Sequence, residues 1–347
     1  MSYGRRHGPG EAPRADSTDG GADRGQFAAL DLGTNNCRML MARPSGRDFQ
    51  VVDSFSRVTR LGEGLSRNGC LSDDAMDRTV EALKRCAEKM QRRNVAASRQ
   101  VATEACRRAV NGREFLERVT RETGITLDII TSDEEATLAL KGCAALLDPE
   151  IPYILMFDIG GGSTEVLLVH NDGQRMAVEG CISLPMGVVT VAEDCGGGDL
   201  CEKTFDEVAA RAARLLKPFE DARRIGEKIA AGKTQMIGTS GTVTTLGGLH
   251  LNLPRYDRNA VDGMSVDFES LLGNSRRLCK MSLQQRAAEP CIGWQRADLV
   301  LAGCAILEAI CRTWPVGRLR IADRGLREGL LMEMIHPAAV NVARAQA

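Results

Sequence analysis

The chain has 347 residues, of which 43% are hydrophobic and 26% charged, with a formal net charge of -1. That length predicts about two domains with enough apolar material for real cores, and the neutral balance excludes a generic nucleic-acid or anionic-membrane binder. Aromatic residues make up 4%, too few for stacking platforms along a nucleic acid, and the four histidines are scattered, which excludes an HExxH or His-rich zinc site.

Residues 1–25 contain no apolar run and are rich in Gly, Pro, Asp and Arg. They read as a disordered tail, not as a signal peptide or transit helix. FAALDLG (27–33), NCRMLMAR (36–43) and FQVVDSFSRVTR (49–60) predict a buried strand, its hairpin partner and a third strand. Residues 72–92 read as a helix with Ser72 as N-cap. A short strand (99–103), a helical run from Glu104 through Val119, a strand TLDII (126–130) and a helix (132–147) follow, and DPEIP (148–152) reads as a hinge. The pattern then restarts. YILMFDIGG (153–161) and STEVLLVH (163–170) form a second strand pair, and Asn171-Asp172-Gly173 turns into the next strand. Helical character over 203–230, a strand and turn QMIGTSGT (235–242) opening a helix, an apolar helix 296–312, a strand RLRIAD (318–323) and a helix RGLREGLLMEMI (324–335) complete the chain. No stretch reaches the ~18 apolar residues of a membrane span. The 12 cysteines are irregularly spaced without a CxxC pair, which predicts reduced thiols in the cytoplasm.

AALDLGTNNCRMLMAR and LMFDIGGGSTEVLLVH share one plan: apolar strand, Asp, apolar residue, Gly, four residues, apolar strand. Asp31 and Asp158 occupy the equivalent places. The repeat predicts two related α/β lobes across a cleft. Coincidence of two common hairpins is the plainer alternative, and a third Gly-rich turn, GTSGT (238–242), weighs against it. The expected divisions are a tail 1–25, an N-terminal lobe 26–147, a C-terminal lobe 148–337 and a tail 338–347.

Several motifs point to phosphate chemistry. In DIGGGSTE (158–165), Gly160, Gly161 and Gly162 let backbone amides converge on an anion, and Ser163 and Thr164 add hydroxyls. Asp158 and Glu165 flank that loop and are suited to a hard divalent cation, Mg²⁺. A flexible Gly hairpin is the plainer alternative, and no GK[ST] follows, so the loop is not a Walker A. In DLGTNN (31–36), Thr34, Asn35 and Asn36 are donors beside Asp31, or simply an Asx-rich turn. Ser240 and Gly241 open a helix whose N-terminus suits an anion, or merely cap it. Ser132 and Glu135 have capping-box spacing, so capping competes with a general-base role for Glu135. Arg107, Arg296, Arg324 and Arg327 carry forks suited to phosphate, although most arginines are surface residues. No GxSxG occurs, and nothing places a histidine beside a candidate serine.

In this order, ALDLGTNNCR, ATEACRRAVN, EEA, FDIGGGSTE, LPMGVV, IGTSGT, DLVLAGCAIL and ADRGLREGLL make the chain resemble the exopolyphosphatase/guanosine pentaphosphate phosphatase (Ppx/GppA) family of the actin-like superfamily. The resemblance runs from Phe27 to Ile335. It implies two ribonuclease-H-like lobes around an interdomain cleft, with Glu135 as the catalytic base. It implies that Asp158 and Glu165, with Asp31 of the first loop, bear on metal and water. Gly160, Gly161, Gly162 and Ser163 would hold terminal phosphates, helped by Thr34, Asn35, Ser240, Gly241 and the family arginines at Arg107 and Arg296. Two departures stand out: Thr131-Ser132 replaces Ser-Gly, and Thr137 replaces an arginine two residues after the base. The resemblance is to the short two-domain form, so no helical His-Asp extension is expected.

The implied activity is Mg²⁺-dependent hydrolysis of the terminal phosphoanhydride of inorganic polyphosphate, with guanosine pentaphosphate as the alternative substrate. Arg107, Arg108, Arg113, Arg118 and Arg121 would line a basic track for the polymer if they face the cleft. A small-molecule kinase of the same superfamily and a non-catalytic phosphate or alarmone sensor are the rival readings. A homodimer is a family expectation.

Overall fold

Two mixed sheets repeat one strand order. In the first, β1 (Gln26–Leu32), β2 (Asn36–Ser45) and β3 (Asp48–Val58) form an antiparallel meander, and β4 (Val95–Ala102) and β5 (Asp128–Ile129) extend it in parallel, in the order β3-β2-β1-β4-β5. The second has β6 (Tyr153–Ile159), β7 (Thr164–Asn171) and β8 (Met176–Leu184) as its meander, with β9 (Thr234–Thr239) and β11 (Arg318–Ala322) parallel to β6. Its edges are β10 (Ser265–Asp267) and β12 (Val342–Arg344). Both sheets thus have the ribonuclease-H-like order 3-2-1-4-5, and the repeat seen in the sequence is a repeat of topology. The computed structural model describes residues 25–197, 200–337 and 342–344. Most of the expected N-terminal tail lies outside the described residues, as do 338–341 and 345–347 of the C-terminal one. Within that second tail, Val342–Arg344 pairs in parallel with β8.

The first-lobe helices are α1 (Leu65–Asn68), α2 (Asp73–Arg92), α3 (Glu104–Arg108), α4 (Gly112–Thr123) and α5 (Ser132–Cys143). The later ones are α6 (Val188–Asp194), α7 (Glu202–Arg223), α8 (Ile225–Ala230), α9 (Gly241–His250), α10 (Arg258–Val261), α11 (Phe268–Cys279), α12 (Leu283–Ala288), α13 (Val300–Thr313) and α14 (Leu326–Ile335). Ser72 caps α2 as expected, accepting from the Ala75 amide at 3.3 Å. Two expected helices are each broken in two. The run from Glu104 stops at Arg108, where Ala109 turns extended, and resumes at Gly112. The run over 203–230 breaks at Arg224, which sits in the left-handed region at φ 51°.

The layers explain the apolar composition of the strands. Leu155, Phe157 and Ile159 of β6 face the large core beneath α7, α9, α11 and α13, while Ile154 and Met156 face Ala136, Ala139, Leu140 and Cys143 of α5. A strand covered on both sides has no polar face to alternate. In the first sheet, Leu30 and Met39 pack towards α2 and α4, and Ala29, Leu40 and Val101 pack on Leu326, Leu330 and Leu331 of α14. So α5, reached from the first lobe, covers the second sheet. Meanwhile α14, reached from the second lobe, covers the first.

These two helices cross with their backbones touching. A Cβ at Gly329 would lie 1.9 Å from the Leu138 carbonyl oxygen, and one at Gly142 would lie 2.0 Å from that of Gly325. Arg99 clamps the pair, donating to Glu134 at 2.5 Å and Glu333 at 2.6 Å, and Lys141 reaches Glu333 at 2.6 Å. Gly329→Ala therefore has to push the helices apart. We expect it to destabilise the protein by about 1–3 kcal/mol or more, as overpacking of a rigid contact does, seen as a drop of several degrees in Tm. An unchanged melting curve would show that the crossing is looser than this.

Candidate active site

The cleft between the lobes is built from the two equivalent hairpins. Asp31 is paired with Arg38 across β1 and β2, and Asp158 with Glu165 across β6 and β7. The same Asp-x6-partner spacing therefore carries a cation in one lobe and an anion in the other. The turns meet in the middle. A Cβ at Gly161 would approach Thr34 Cβ to 2.9 Å, and one at Gly162 would approach both Thr34 Oγ1 and Glu104 Cγ to 2.8 Å. These glycines are small because the opposite lobe lies against them. Asn35 is pinned through its carbonyl, which accepts from the Thr59 and Arg60 amides at 2.9 and 3.0 Å. Arg60 then pairs with Asp298 of the second lobe at 2.8 Å, and the Gly64 amide donates to Glu193 at 2.7 Å.

The space inside the cleft is about 150 Å³. Asp31, Thr34, Asn35, Glu135, Asp158, Gly160, Gly161, Gly162, Ser163, Ser240, Gly241 and Arg296 all line it. The helices α9 and α14 present their first residues, Gly241 and Leu326, to it, so two positive helix ends face the cleft, while α5 contributes Glu135 and has its Glu134 and Glu135 amides donating to Thr131. Ser240 also caps α9, its Oγ accepting from the Val243 amide at 3.0 Å.

Two expected phosphate contacts are otherwise employed, and the expected Glu165 ligand sits behind the lining. Arg107 does not line the cleft: its Nη1 donates to Glu135 Oε2 at 2.9 Å and to the Ile130 carbonyl at 2.7 Å, and its Nε and Nη2 donate to Glu104 Oε2 at 3.2 and 3.0 Å. Glu165 is 2% exposed, and its Oε1 accepts from Ser163 Oγ at 2.7 Å and Ser183 Oγ at 2.8 Å. The Ser163 hydroxyl is thus committed to a carboxylate. The capping reading of Glu135 is corrected too. Thr131, not Ser132, caps α5 and accepts from the Glu134 amide at 3.2 Å, which leaves the Glu135 carboxylate free to face Arg107 and the cleft. The proposed arginine track is absent from the lining: Arg118 pairs with Asp77 and Glu122, and Arg108, Arg113 and Arg121 contribute nothing to it.

The sequence reading missed Arg38 and Glu104, both in the lining. Arg38 was signalled by the repeat, since it stands where Glu165 stands in the second hairpin. Glu104 sits inside the ATEACRR stretch and had no signal of its own. Tyr256, Arg258 and Asp262 were missed as well. They hold the turn before α14 by way of Asp323, Glu328 and Arg324 at 2.5–2.9 Å.

Electrostatically the cleft is overloaded with carboxylates. Burial, then Glu165 and Asp31, push Asp158 up to about 8. Burial and the neighbouring Glu165 charge hold Glu135 well above the usual glutamate range, with Arg107 opposing. Burial also raises Asp31, against Arg327 and Arg38, and raises Glu165, against its two serine donors. Arg38 is lowered by burial and by the nearby Arg327.

The family model of the Ppx/GppA phosphatase family matches residues 40–338. Exopolyphosphatase 2 of Mycobacterium tuberculosis is 29% identical over 322 residues, covering 89% of this chain and 98% of the relative. A solved Ppx/GppA enzyme of Aquifex aeolicus superposes with a TM-score of 0.73 at 28% identity, over 89% of this chain and 99% of that one. An exopolyphosphatase of Cytophaga hutchinsonii shares the fold at a TM-score of 0.80 and 21% identity, over 91% of this chain and all of its own. With the paired hairpins, the glycine loop and the EEA helix meeting in one cleft, the chain belongs to the Ppx/GppA phosphatase family.

Proposed function

We propose that the protein hydrolyses the terminal phosphoanhydride of inorganic polyphosphate and releases orthophosphate. The observation that carries this reading is the meeting of a desolvated carboxylate, Glu135, with the glycine loop and the N-termini of α9 and α14 in one cleft. A raised carboxylate pKa suits a general base working near neutral pH. Glu135 takes a proton from water as the water oxygen bonds to the terminal phosphorus and the bridging P–O bond breaks. The loop amides of Gly161 and Gly162, the amide of Gly241, and Arg38 and Arg296 offset charge on the phosphoryl oxygens, while the Gly160 amide closes the loop on the Ser163 carbonyl at 2.9 Å. Arg107, expected on the phosphate, serves the base instead.

The donor set fits a divalent cation. Asp31, Asp158 and Glu165 raise or share the same buried negative field, and the Oδ1 of Asn35 is buried in the cleft without a partner. Among the described residues no three His, Cys, Asp or Glu side chains form a cage. Mg²⁺ suits such a site, since it keeps waters and takes substrate phosphate oxygens as ligands. Asp31 and Asp158, which line the cleft, would hold it, with Glu165 behind them adding to the negative field, and it would supply charge compensation on the transferred group.

Guanosine pentaphosphate is the second reading. It is favoured by Trp294, an aromatic side chain 66% exposed and two residues before the cleft residue Arg296, on which a base could stack. A cytoplasmic location and a homodimer belong to the same proposal. No helix among the described residues is long and apolar enough to cross a membrane.

Phosphate release from long-chain polyphosphate and from guanosine pentaphosphate, with and without Mg²⁺, tests the assignment. Tight binding without turnover would mark a sensor, and transfer from ATP without phosphate release a kinase. Glu135→Gln should keep the fold and lose at least ~100-fold in kcat; near-normal turnover would remove Glu135 as base. Activity needs the ionised form, so kcat should fall with decreasing pH through a value above the ~4.3 of an ordinary glutamate.

Stability carries the opposite sign. Asp158 titrates at about 8 in the native cleft against ~3.9 when unfolded. Between those values the native state binds more protons, so the contribution of Asp158 is fully present below the unfolded value and is lost as pH rises through the folded one. Mg²⁺ competes with those protons. The rise in Tm on adding Mg²⁺ to metal-free protein should therefore be larger at pH 8 than at pH 6, and an equal rise at both would contradict this account.

A further inference from the structure

Glu104 opens the short helix α3 and has no part in the chemistry described so far. Its side chain is 15% exposed and touches two parts of the site at once. The Oε2 atom accepts from both Nε and Nη2 of Arg107. The methylenes lie against the phosphate loop, where a Cβ at Gly162 would come within 2.8 Å of Glu104 Cγ.

Arg107 has five N–H groups in a planar fork. Two are held by Glu104, and Nη1 serves both the Ile130 carbonyl and Glu135 Oε2. That leaves Arg107 with one orientation. It also divides one positive charge between two carboxylates. An arginine facing Glu135 alone would pair with it fully and hold it as a poor proton acceptor. Shared with Glu104, whose other oxygen lies 3.9 Å from Arg108 Nε, the same arginine orients the base without being committed to it alone.

We infer that Glu104 is a positioning residue, which through Arg107 holds the Glu135 carboxylate in register with the phosphate loop of the opposite lobe. This rests on the reading of Glu135 as the base. Because Glu104 also presses on Gly162, the arm that aims the base is braced by the loop that receives the phosphate. The arrangement is complete when the two lobes are together.

The test measures Mg²⁺-dependent phosphate release from long-chain polyphosphate by four proteins: the unaltered chain, Glu104→Gln, Arg107→Lys and the double variant. Glu104→Asp serves as the conservative control. Glu104→Gln keeps the size and the packing on Gly162, so its Tm should stay near that of the unaltered chain. Its kcat should fall about tenfold, less than the ~100-fold or more that loss of the general base itself costs, with KM changed less than about twofold, the pattern of an interaction made in the transition state. In the Arg107→Lys background the same change should cost less than about threefold, because coupled residues are non-additive. Glu104→Asp, which restores the charge, should recover part of the kcat. Unchanged kcat in Glu104→Gln, a loss confined to KM, an equal loss in both backgrounds, or no recovery in Glu104→Asp would each overturn the inference. Retained turnover in Glu135→Gln would instead overturn the reading beneath it.

Discussion

The crossing of α5 and α14 is the contact on which the rest of the molecule depends. Each helix starts from one lobe and covers the sheet of the other, and their backbones touch where Gly142 and Gly329 leave no side chain between them. The lobes are therefore not two beads on a hinge. They are tied through a shared middle layer, and the first turns of both helices emerge at the cleft. Glu135 sits on one first turn. On the other, Arg327 acts on Asp31, and the Glu328 side chain caps the Gly325 amide at 2.9 Å. A change in how closely the helices pack would move Glu135 relative to the glycine loop across the cleft.

The second organising feature is the imbalance of charge inside the cleft. Asp31, Asp158, Glu135 and Glu165 are gathered in a buried space, and burial raises every one of them. Isolated carboxylates are costly there. The structure answers locally with Arg38, Arg107 and the two serines on Glu165, and through helix ends for whatever anion arrives. The paired hairpins show how such a site arises from a duplicated unit. One position after each turn bears Arg in the first lobe and Glu in the second, so a near-symmetric frame produces an asymmetric field.

Much of this was legible in the sequence because it is local. The two strand-Asp-Gly-strand units, the Ser72 cap and the apolar run 154–157 of β6 follow from patterns within a few residues. Phosphate loops are equally local, since glycine spacing and a strand end define them. The misreadings were of a different kind. Thr131 and Ser132 are adjacent candidates for one cap, and choosing between them requires the angle at which the chain leaves β5. The breaks after Arg108 and at Arg224 occur where the chain must turn back onto a core, against a helical preference that continues. The family resemblance puts Arg107 on the phosphate, and nothing in ATEACRR tells that Glu135, far along the chain, takes its Nη1.

By itself the sequence determined the repeated α/β plan, the chemistry of the loops and the identity of most residues in the cleft, because backbone propensity and residue type act over short distances. The tertiary structure alone decided which of those residues face the cavity and which stand behind it. That division depends on the exchange of α5 and α14 between lobes, and on side chains such as Glu104, Ser163 and Ser183 competing for the same few charged partners. Such competition is settled by three-dimensional distance in a low-dielectric space, which no spacing along the chain encodes.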